Sequence, residues 1–137
     1  MSSTPVEVTR TGTRTFEATN PRGARALVGP ETAEGVFTPG ELLLAAVAAC
    51  VGVTSDSLVV RRVGEDAGFQ VRADRTKESE DAHEFASVTV DLDVDTSALD
   101  DEQRAALATA VDRAVEKLCT VSRTLKKGVP VTLNQQR

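Results

Sequence analysis

Apolar and polar residues alternate through the first part of the chain, as they do in β-strands. Val6 and Val8 are separated by a polar residue, and a β-rich stretch around Phe16 covers residues 13–19. The sequence Asn20-Pro21-Arg22-Gly23 then gives a strong turn signal. Beyond it, small or apolar residues recur at every second position, at Ala24, Ala26 and Val28. This pattern predicts a small antiparallel sheet.

A long helix is predicted next. Its start carries an N-cap residue, a first-turn proline and a capping-box glutamate, which are Thr38, Pro39 and Glu41. The pattern continues to about Arg62, and Gly64 provides a stop signal. Between Leu42 and Val53 every side of the helix is apolar, which predicts a helix buried all round. A partner subunit would make such burial easier for a chain of this size.

Two further strands are predicted from period-two alternation, with a polar loop at Lys77–Glu84 between them. The apolar positions of the two strands are Phe69, Val71 and Ala73, and then Val88, Val90, Leu92 and Val94. The second strand also presents a row of acidic residues, Asp91, Asp93 and Asp95. This row suggests cation binding, but its strict alternation with aliphatic residues favours a solvated strand face.

The last third of the chain predicts two helical segments and a strand. Asp100 and Gln103 form a capping pair, and an apolar stripe follows at Leu107, Val111, Ala114, Val115 and Leu118. A short helical turn is expected from Ser122 to Lys127, ending at Gly128. Alternation at Val129, Val131 and Leu133 predicts a final strand, which Pro130 would place at an edge or irregularity.

Size and composition indicate one globular domain over residues 1–137. The net charge of −5 and the sequence pI near 4.9 argue against nucleic acid and anionic membranes as partners. The N-terminal residues show neither a basic start nor an apolar signal core, so no secretory peptide is expected. The apolar run at residues 42–53 is shorter than the roughly 20 residues of a membrane span. We therefore expect a soluble, cytoplasmic protein.

The two cysteines, Cys50 and Cys119, are the main candidates for chemistry. In a reducing compartment a static disulfide is not expected, so the pair indicates either catalysis or packing. Cys50 lies in the apolar helix and also suits the role of a small buried hydrophobe. Cys119 ends a helix before a polar turn and suits an accessible thiol. Together with His83 the two cysteines supply at most three metal ligands, and no two of these residues are close together in the sequence as zinc ligands usually are. Neither a metal nor another cofactor is therefore expected.

Two segments resemble motifs of the OsmC/Ohr family of thiol-dependent hydroperoxide reductases. Residues 38–50, TPGELLLAAVAAC, are similar to the family's cysteine-bearing helix, and residues 119–125, CTVSRTL, are similar to its second cysteine turn. The resemblance covers essentially the whole chain. It implies an α+β fold with an N-terminal antiparallel sheet, a long buried central helix carrying Cys50, and a second sheet and helix. It also implies an intertwined homodimer with active sites at its interface.

The resemblance implies a function in oxidative-stress defence, with organic hydroperoxides as the preferred substrates. Cys50 matches the peroxidatic position, where a thiolate attacks the peroxide and becomes a sulfenic acid. Cys119 matches the resolving position, where a second thiol condenses with the sulfenic acid to form a disulfide. An external dithiol then reduces this disulfide; dihydrolipoyl groups are the typical reductants of the family.

A cationic group is expected to favour the reactive thiolate. The family uses an arginine on an N-terminal strand near an Arg-x-Gly turn, which Arg10 fits best and Arg14 fits as the alternative. The sequence departs from the characterised peroxidases at Gly40, where they carry a catalytic glutamate. Glu41 is typical of the family and remains a candidate catalytic residue, although its capping role is a sufficient explanation.

Two other functions remain open from the sequence. A hydrolase using a Cys50–His83 dyad requires a base beside the thiol, and His83 is the one histidine in the chain. A non-enzymatic module would instead bind a small hydrophobic ligand near Cys50, with both thiols merely packing. Gly40 favours this binding module, whereas the presence of both Cys50 and Cys119 favours the peroxidase.

Overall fold

A computed structural model describes residues 5–135 of the chain. Residues 1–4, on which the expectation of no secretory peptide partly rests, lie outside this range. The described elements are β1 (Glu7–Gly12), β2 (Thr15–Thr19), β3 (Arg25–Val28), α1 (Pro39–Val63), β4 (Phe69–Thr76), β5 (Ser87–Val94), α2 (Asp101–Leu118) and α3 (Thr120–Lys127). They form two compact units that divide within α1, after Leu44. The α+β class predicted from the sequence is confirmed.

The first unit contains an antiparallel sheet in the order β1-β2-β3. Arg10 pairs with Phe16 across β1 and β2, and the register shifts between Arg10 and Gly12. The predicted turn is formed as expected: the Asn20 side-chain oxygen accepts hydrogen bonds from the backbone N–H groups of Arg22 and Ala24, both at 3.0 Å. Gly23, with φ of 91°, supplies the left-handed residue that this turn requires.

The capping box predicted for α1 is present at the end of the first unit. The Thr38 backbone N–H donates to the Glu41 carboxylate at 2.8 Å, and the Glu41 N–H donates to the Thr38 hydroxyl at 3.1 Å. These reciprocal bonds satisfy two of the groups that a helix start leaves without partners. They fix the residue at which the cysteine-bearing helix begins.

The second unit contains the antiparallel pair β4 and β5, the rest of α1, and helices α2 and α3. Its core is a cluster of Val59, Leu99, Leu107 and Val111, against which Phe69, Leu92 and Val94 pack. Val59 is only 1% exposed. Each buried valine or leucine contributes about 1.5–3 kcal/mol, so the cluster stabilises the unit.

Helix α1 is buried along one stripe rather than on all sides, which corrects the expectation for Leu42–Val53. The fully buried positions are four residues apart, at Val47, Val51, Ser55 and Val59. Val53 is 79% exposed within the single chain. One chain covers only one side of the helix, because the side chains of a helix radiate in every direction.

The bounds of α1 agree with the predicted helix, which is longer than its apolar run at residues 42–53. By length and composition it is sufficient to cross a membrane, with mean hydropathy of 2.0 over an 18-residue window of which 22% is buried. The central helix of a soluble protein passes the same test.

The predicted final strand is not formed. Residues 129–135 have no regular secondary structure, and Val131 is 94% exposed. Alternation alone does not make a strand, because the backbone needs a neighbouring strand edge, and Pro130 has no N–H to donate. The preceding helix α3 begins at Thr120, two residues earlier than predicted, and ends as expected at Gly128 in the left-handed conformation.

Candidate active site

Cys119 occupies the junction between α2 and α3. It follows Leu118, the last residue of α2, and its own N–H donates to the Val115 carbonyl at 3.1 Å. Its carbonyl accepts from the Arg123 N–H at 3.0 Å, so Cys119 is also the N-cap residue of α3. The single extended residue between the two helices therefore holds the thiol by its backbone on both sides.

The Cys119 side chain is completely enclosed, with 0% exposure. This burial overturns the suggestion that the helix end makes it the accessible thiol; Cys50 is instead the partly exposed cysteine of the pair. The Cys119 sulfur lies 3.0 Å from the Ser122 hydroxyl oxygen, three residues along α3. The polar turn that follows Cys119 thus folds back over its sulfur instead of exposing it.

The structure brings Cys50 and Cys119 together. Cys50 belongs to the part of α1 that lies in the second unit, and its thiol is near enough to the Cys119 sulfur to be one of the groups that lower the pKa of Cys119. Both cysteines are free thiols. Two thiols in contact form a disulfide with little rearrangement when one of them is oxidised.

The environment of Cys119 favours its thiolate. Burial by itself raises the pKa of the thiol, since it disfavours the charged form. The hydrogen bonds from the Ser122 hydroxyl and the Cys50 thiol, with the N–H groups of Ser122 and Val121, outweigh burial and lower the pKa of Cys119. Although the sulfur forms no regular helix-capping hydrogen bond, these N–H groups point toward it from the start of α3.

An open apolar groove of about 660 Å³ lies between α1 and β4. Small residues line most of its helix side, and Asp56 adds one carboxylate. The lining residues are Ala45, Ala48, Ala49, Gly52, Val53, Asp56, Phe69 and Val71. A small or elongated apolar molecule fits such a surface. Cys50 follows Ala49 in the sequence but does not itself line the groove.

The other predicted site residues, Arg10 and Glu41, belong to the first unit. Arg10 is exposed on β1, and Arg14 is exposed in the turn before β2 with φ of 58°. Glu41 holds the capping box described above. The assignment of Arg10 or Arg14 to thiol activation, and of Glu41 to catalysis, therefore stays a prediction.

The remaining candidates have ordinary structural surroundings. His83 is exposed in the loop between β4 and β5, and the row at Asp91 and Asp93 is exposed on β5. Asp95 accepts a hydrogen bond from the Ser97 N–H at 3.1 Å, so this carboxylate stabilises the turn after the strand. Among residues 5–135, no group of three or more histidine, cysteine or acidic side chains is arranged to hold a metal ion.

Ser122 is the functional candidate that the sequence analysis did not identify as a separate residue. The available signal was its spacing from Cys119, since an N-cap residue and the residue three positions later face each other at a helix start. The sequence did not show that α3 begins at Thr120, and without that boundary the spacing had no structural meaning.

Known proteins match both the sequence and the fold. The model of the OsmC-like protein family matches residues 32–134. An uncharacterized protein of Mycobacterium tuberculosis is 42% identical over 130 residues, which are 95% of this chain and 94% of that protein.

Two solved structures have the same fold. An OsmC-like protein of unknown function from Vibrio cholerae matches with a TM-score of 0.64 and 16% identity, over 90% of this chain and 94% of that one. The organic hydroperoxide resistance protein OhrB of Bacillus subtilis matches with a TM-score of 0.56 and 22% identity, over 93% of each chain. Since the family model covers most of the chain and both structures share its fold, the resemblance first seen in two cysteine motifs is confirmed, and the chain belongs to the OsmC-like protein family.

Proposed function

We propose that this protein is a cysteine-based hydroperoxide reductase, with organic hydroperoxides as preferred substrates. The contact between Cys50 and Cys119 is the observation that carries this proposal. A peroxidase of this kind needs a partly exposed thiol for the peroxide and a protected second thiol for the sulfenic acid. Cys50 and Cys119 have these two degrees of exposure.

In the proposed cycle the Cys50 thiolate attacks one peroxide oxygen, the O–O bond breaks, and the alcohol leaves after taking a proton. Cys50 is then a sulfenic acid. The Cys119 thiolate attacks the Cys50 sulfur, forming the S–S bond and releasing hydroxide, which becomes water on protonation. An external dithiol, such as a dihydrolipoyl group, returns both cysteines to thiols and is itself oxidised to a disulfide.

The groove between α1 and β4 supports an organic rather than an inorganic peroxide, since apolar walls favour an alkyl or aryl group. We further propose that the protein works in the cytoplasm as a homodimer in oxidative-stress defence. A dimer would cover the apolar side of α1 that one chain leaves exposed, and a reducing compartment would keep both thiols ready for reaction.

Thiol counting tests the activity. Fully reduced protein is treated with one equivalent of cumene hydroperoxide or tert-butyl hydroperoxide, and free thiols are measured before and after. We expect loss of both thiols in the wild type and no turnover in Cys50→Ser. Cys119→Ser should accept one oxidation and leave a sulfenic acid that excess peroxide overoxidises. An unchanged thiol count in folded, reduced protein would reject the peroxidase.

The second candidate function is a binding protein for a small hydrophobic ligand. The groove at α1 and β4 favours it, as does the absence of a carboxylate at Gly40. Titration with a fluorescent fatty-acid analogue distinguishes the two functions when it is combined with thiol counting. Binding without any peroxide-dependent loss of thiols supports the ligand-binding function.

A further inference from the structure

The junction between α2 and α3 carries a local excess of positive charge on an acidic chain. Four exposed basic side chains lie there: Lys117, Arg123, Lys126 and Lys127. Glu116 is the last acidic residue of the sequence, so no carboxylate side chain follows it. Because the whole chain has a net charge of −5, the residues outside this group of four carry −9. Positive charge is therefore concentrated beside the helix junction that holds Cys119.

Helix geometry and one hydrogen bond bring these side chains to one local surface. Arg123, Lys126 and Lys127 are spaced i, i+3 and i+4 along α3, which places them on the same face of the helix. The Arg123 Nη1 donates to the Glu116 carbonyl at 2.8 Å, so this face adjoins the last turn of α2. Leu118, in that turn, is 68% exposed. The surface is called the basic patch below and is formed by Lys117, Leu118, Arg123, Lys126 and Lys127.

The basic patch begins beside Cys119. The Arg123 N–H donates to the Cys119 carbonyl at 3.0 Å, and Lys117 precedes Cys119 by two residues. The Cys119 side chain is completely enclosed, whereas the basic side chains around it are exposed. A molecule held on the patch is therefore brought next to the junction without having to enter it.

Local structure accounts for only part of the patch. Lys126 and Lys127 stand in the last turn of α3, where positive charge interacts favourably with the helix dipole. Within residues 5–135, however, none of the four basic side chains forms an ion pair with a carboxylate. Like charges on one helix face repel one another, and a negatively charged partner relieves that repulsion. The patch is thus complementary to a molecule that brings its own carboxylates.

We propose that the basic patch is the docking surface for an acidic protein that carries the reducing dithiol. This inference rests on the proposed peroxidase function, since only an oxidised cysteine pair requires an external dithiol. Asp and Glu side chains of the partner pair with Arg123, Lys126 and Lys127, and an apolar side chain among them contacts Leu118. Polar groups around a small apolar contact are the usual arrangement of a protein interface, and opposite charges also speed the encounter.

The distribution of charge favours a protein over nucleic acid or an anionic membrane. Both of these repeat their negative charge over a long surface, which the remaining −9 of this chain repels. A helix that binds a membrane must also present its apolar face, but α3 has eight residues and its Val121, on the side opposite Arg123, is half-buried. An acidic protein can match the patch with a few carboxylates alone.

The reduction balances with the two thiols of the partner. One partner thiolate attacks the sulfur of Cys50, the more exposed cysteine, the S–S bond breaks, and Cys119 leaves as a thiolate. A mixed disulfide then joins the partner to Cys50. The second partner thiolate attacks the partner sulfur of that bond and releases Cys50. The protein disulfide gains two electrons, the partner becomes a disulfide, and its two thiol protons pass to Cys50 and Cys119.

Binding of a defined probe is the first test. The probe is a fluorescent peptide with glutamates on both sides of a Ser-Gly-Pro-Ser core, which has no thiol, and its affinity is measured by anisotropy. A peptide with glutamines instead of the glutamates reports binding that does not depend on charge. Lys126→Gln/Lys127→Gln should weaken binding of the glutamate peptide by about 5-fold at low salt, as for the loss of two exposed ion pairs. High salt should abolish the difference.

Arg22→Gln/Lys77→Gln is the matched control, because it removes the same charge at exposed positions outside α2 and α3. Circular dichroism checks the folding of both variants, and the control should keep the wild-type affinity. Equal weakening in the two variants would show that net charge rather than the patch determines binding, which would overturn the proposal. Binding to phosphatidylserine vesicles without any preference for the glutamate peptide would overturn it in favour of a membrane.

The rate of reduction is the second test. Protein oxidised with one equivalent of cumene hydroperoxide is treated with Cys-Gly-Pro-Cys versions of the two peptides, and recovered protein thiols are counted by alkylation and mass spectrometry. The ratio of the two rates, glutamate peptide over glutamine peptide, cancels differences between the proteins in reactivity toward dithiols. At low salt this ratio should be about 5-fold higher in the wild type than in Lys126→Gln/Lys127→Gln, and the control variant should keep the wild-type ratio.

The two tests separate the patch from the peroxidase. If peroxide oxidises the cysteines but the rate ratio is the same in the wild type and in Lys126→Gln/Lys127→Gln, the docking role of the patch is overturned and the peroxidase stands. If peroxide leaves both thiols unchanged, the proposed function is overturned, and the reducing role of the patch with it. Binding of the thiol-free glutamate peptide then decides by itself whether the patch holds an acidic partner.

Discussion

The Cys119 sulfur lies 3.0 Å from the Ser122 hydroxyl, and both residues belong to the first turn of α3 or its cap. This contact shows how the junction between α2 and α3 affects the Cys119 thiol. A helix that begins immediately after α2 presents its N-terminal groups to the one residue between them, and that residue is a cysteine. The same backbone geometry that connects the helices therefore stabilises a negative charge on sulfur.

The lowered pKa of Cys119 predicts a specific dependence of stability on pH. The thiol is ionised at lower pH in the folded protein than in the unfolded chain, where its ordinary pKa is 9.0. Between the lowered pKa of the folded state and 9.0, the unfolded chain therefore binds more protons than the folded protein. The free energy of unfolding rises with pH over that range. The full contribution is present above 9.0 and is lost as the pH falls through the lowered pKa of the folded state.

Urea unfolding in reducing buffer measures this contribution as the difference between wild type and Cys119→Ser at each pH. We expect the difference to increase from neutral pH toward 9.0. Cys50→Ser is the control and should retain most of the increase, because Ser122 and the backbone N–H groups still face Cys119. A constant difference across this range would contradict the lowered pKa.

The capping box at the start of α1 predicts that Glu41 acts through its oxygen atoms rather than its charge. Glu41→Gln keeps the acceptor for the Thr38 N–H and should leave the free energy of unfolding nearly unchanged. Glu41→Ala and Thr38→Ala should each destabilise the protein by about 1 kcal/mol. If Glu41→Gln lowers the rate of peroxide reaction without lowering stability, Glu41 has a catalytic role in addition to its capping role.

The two arginine candidates predict different results in one assay. Arg10→Ala should slow sulfenic acid formation at Cys50, because we expect this guanidinium to favour the thiolate. Arg14→Gly is the matched variant: it removes the other guanidinium and suits the backbone, since φ at Arg14 is 58°. It should keep the rate and stabilise the turn by about 1 kcal/mol. If only Arg14→Gly slows the reaction, then Arg14 in the turn, and not Arg10 on β1, favours the Cys50 thiolate.

Gly40 predicts a gain of function. Gly40→Glu places a carboxylate in the first turn of α1, where it interacts favourably with the helix dipole. If the missing glutamate limits the first step, this variant should react faster with tert-butyl hydroperoxide than the wild type. Gly40→Gln, which has nearly the same shape without the charge, is the control. Equal rates in both variants would show that the charge at this position has no part in the reaction.

Local sequence signals predicted most of the secondary structure, because each has a local physical cause. The boxes at Thr38–Glu41 and Asp100–Gln103 both form, since an N-cap and its third neighbour need only each other. The alternation in β4 and β5 likewise predicted a paired sheet, with Val71 opposite Leu92. The family motif identified both cysteines before the structure placed them in contact.

The incorrect predictions concern features that depend on distant parts of the molecule. The tail around Val131 has the alternation of a strand but forms none, because a strand needs a neighbouring strand to pair with. Burial of Cys119 depends on how α2 and α3 meet Cys50, and nothing in the order of residues 119–125 encodes that contact. Helix α1 is apolar on more sides than one chain covers.

This last feature leads to a prediction about assembly. Val53 is 79% exposed although it lies in the most apolar part of α1. An exposed apolar helix face is costly in water, and we expect a second copy of the chain to cover it in a two-fold dimer, with the groove that Val53 also lines at the subunit interface. Sedimentation at micromolar concentration should therefore give the mass of a dimer for the wild type. A monomer at that concentration would contradict the prediction.

Val53→Glu tests whether this face is the contact. A carboxylate buried in a subunit interface without a partner is strongly unfavourable, so the variant should sediment as a monomer at concentrations where the wild type is dimeric. Its secondary structure should persist, because the Val53 side chain is largely exposed within one chain. Thr109→Glu adds the same charge at an exposed position of α2 and should leave the dimer intact. If Val53→Glu remains a dimer, the subunits meet through another surface and the apolar face of α1 requires a different explanation.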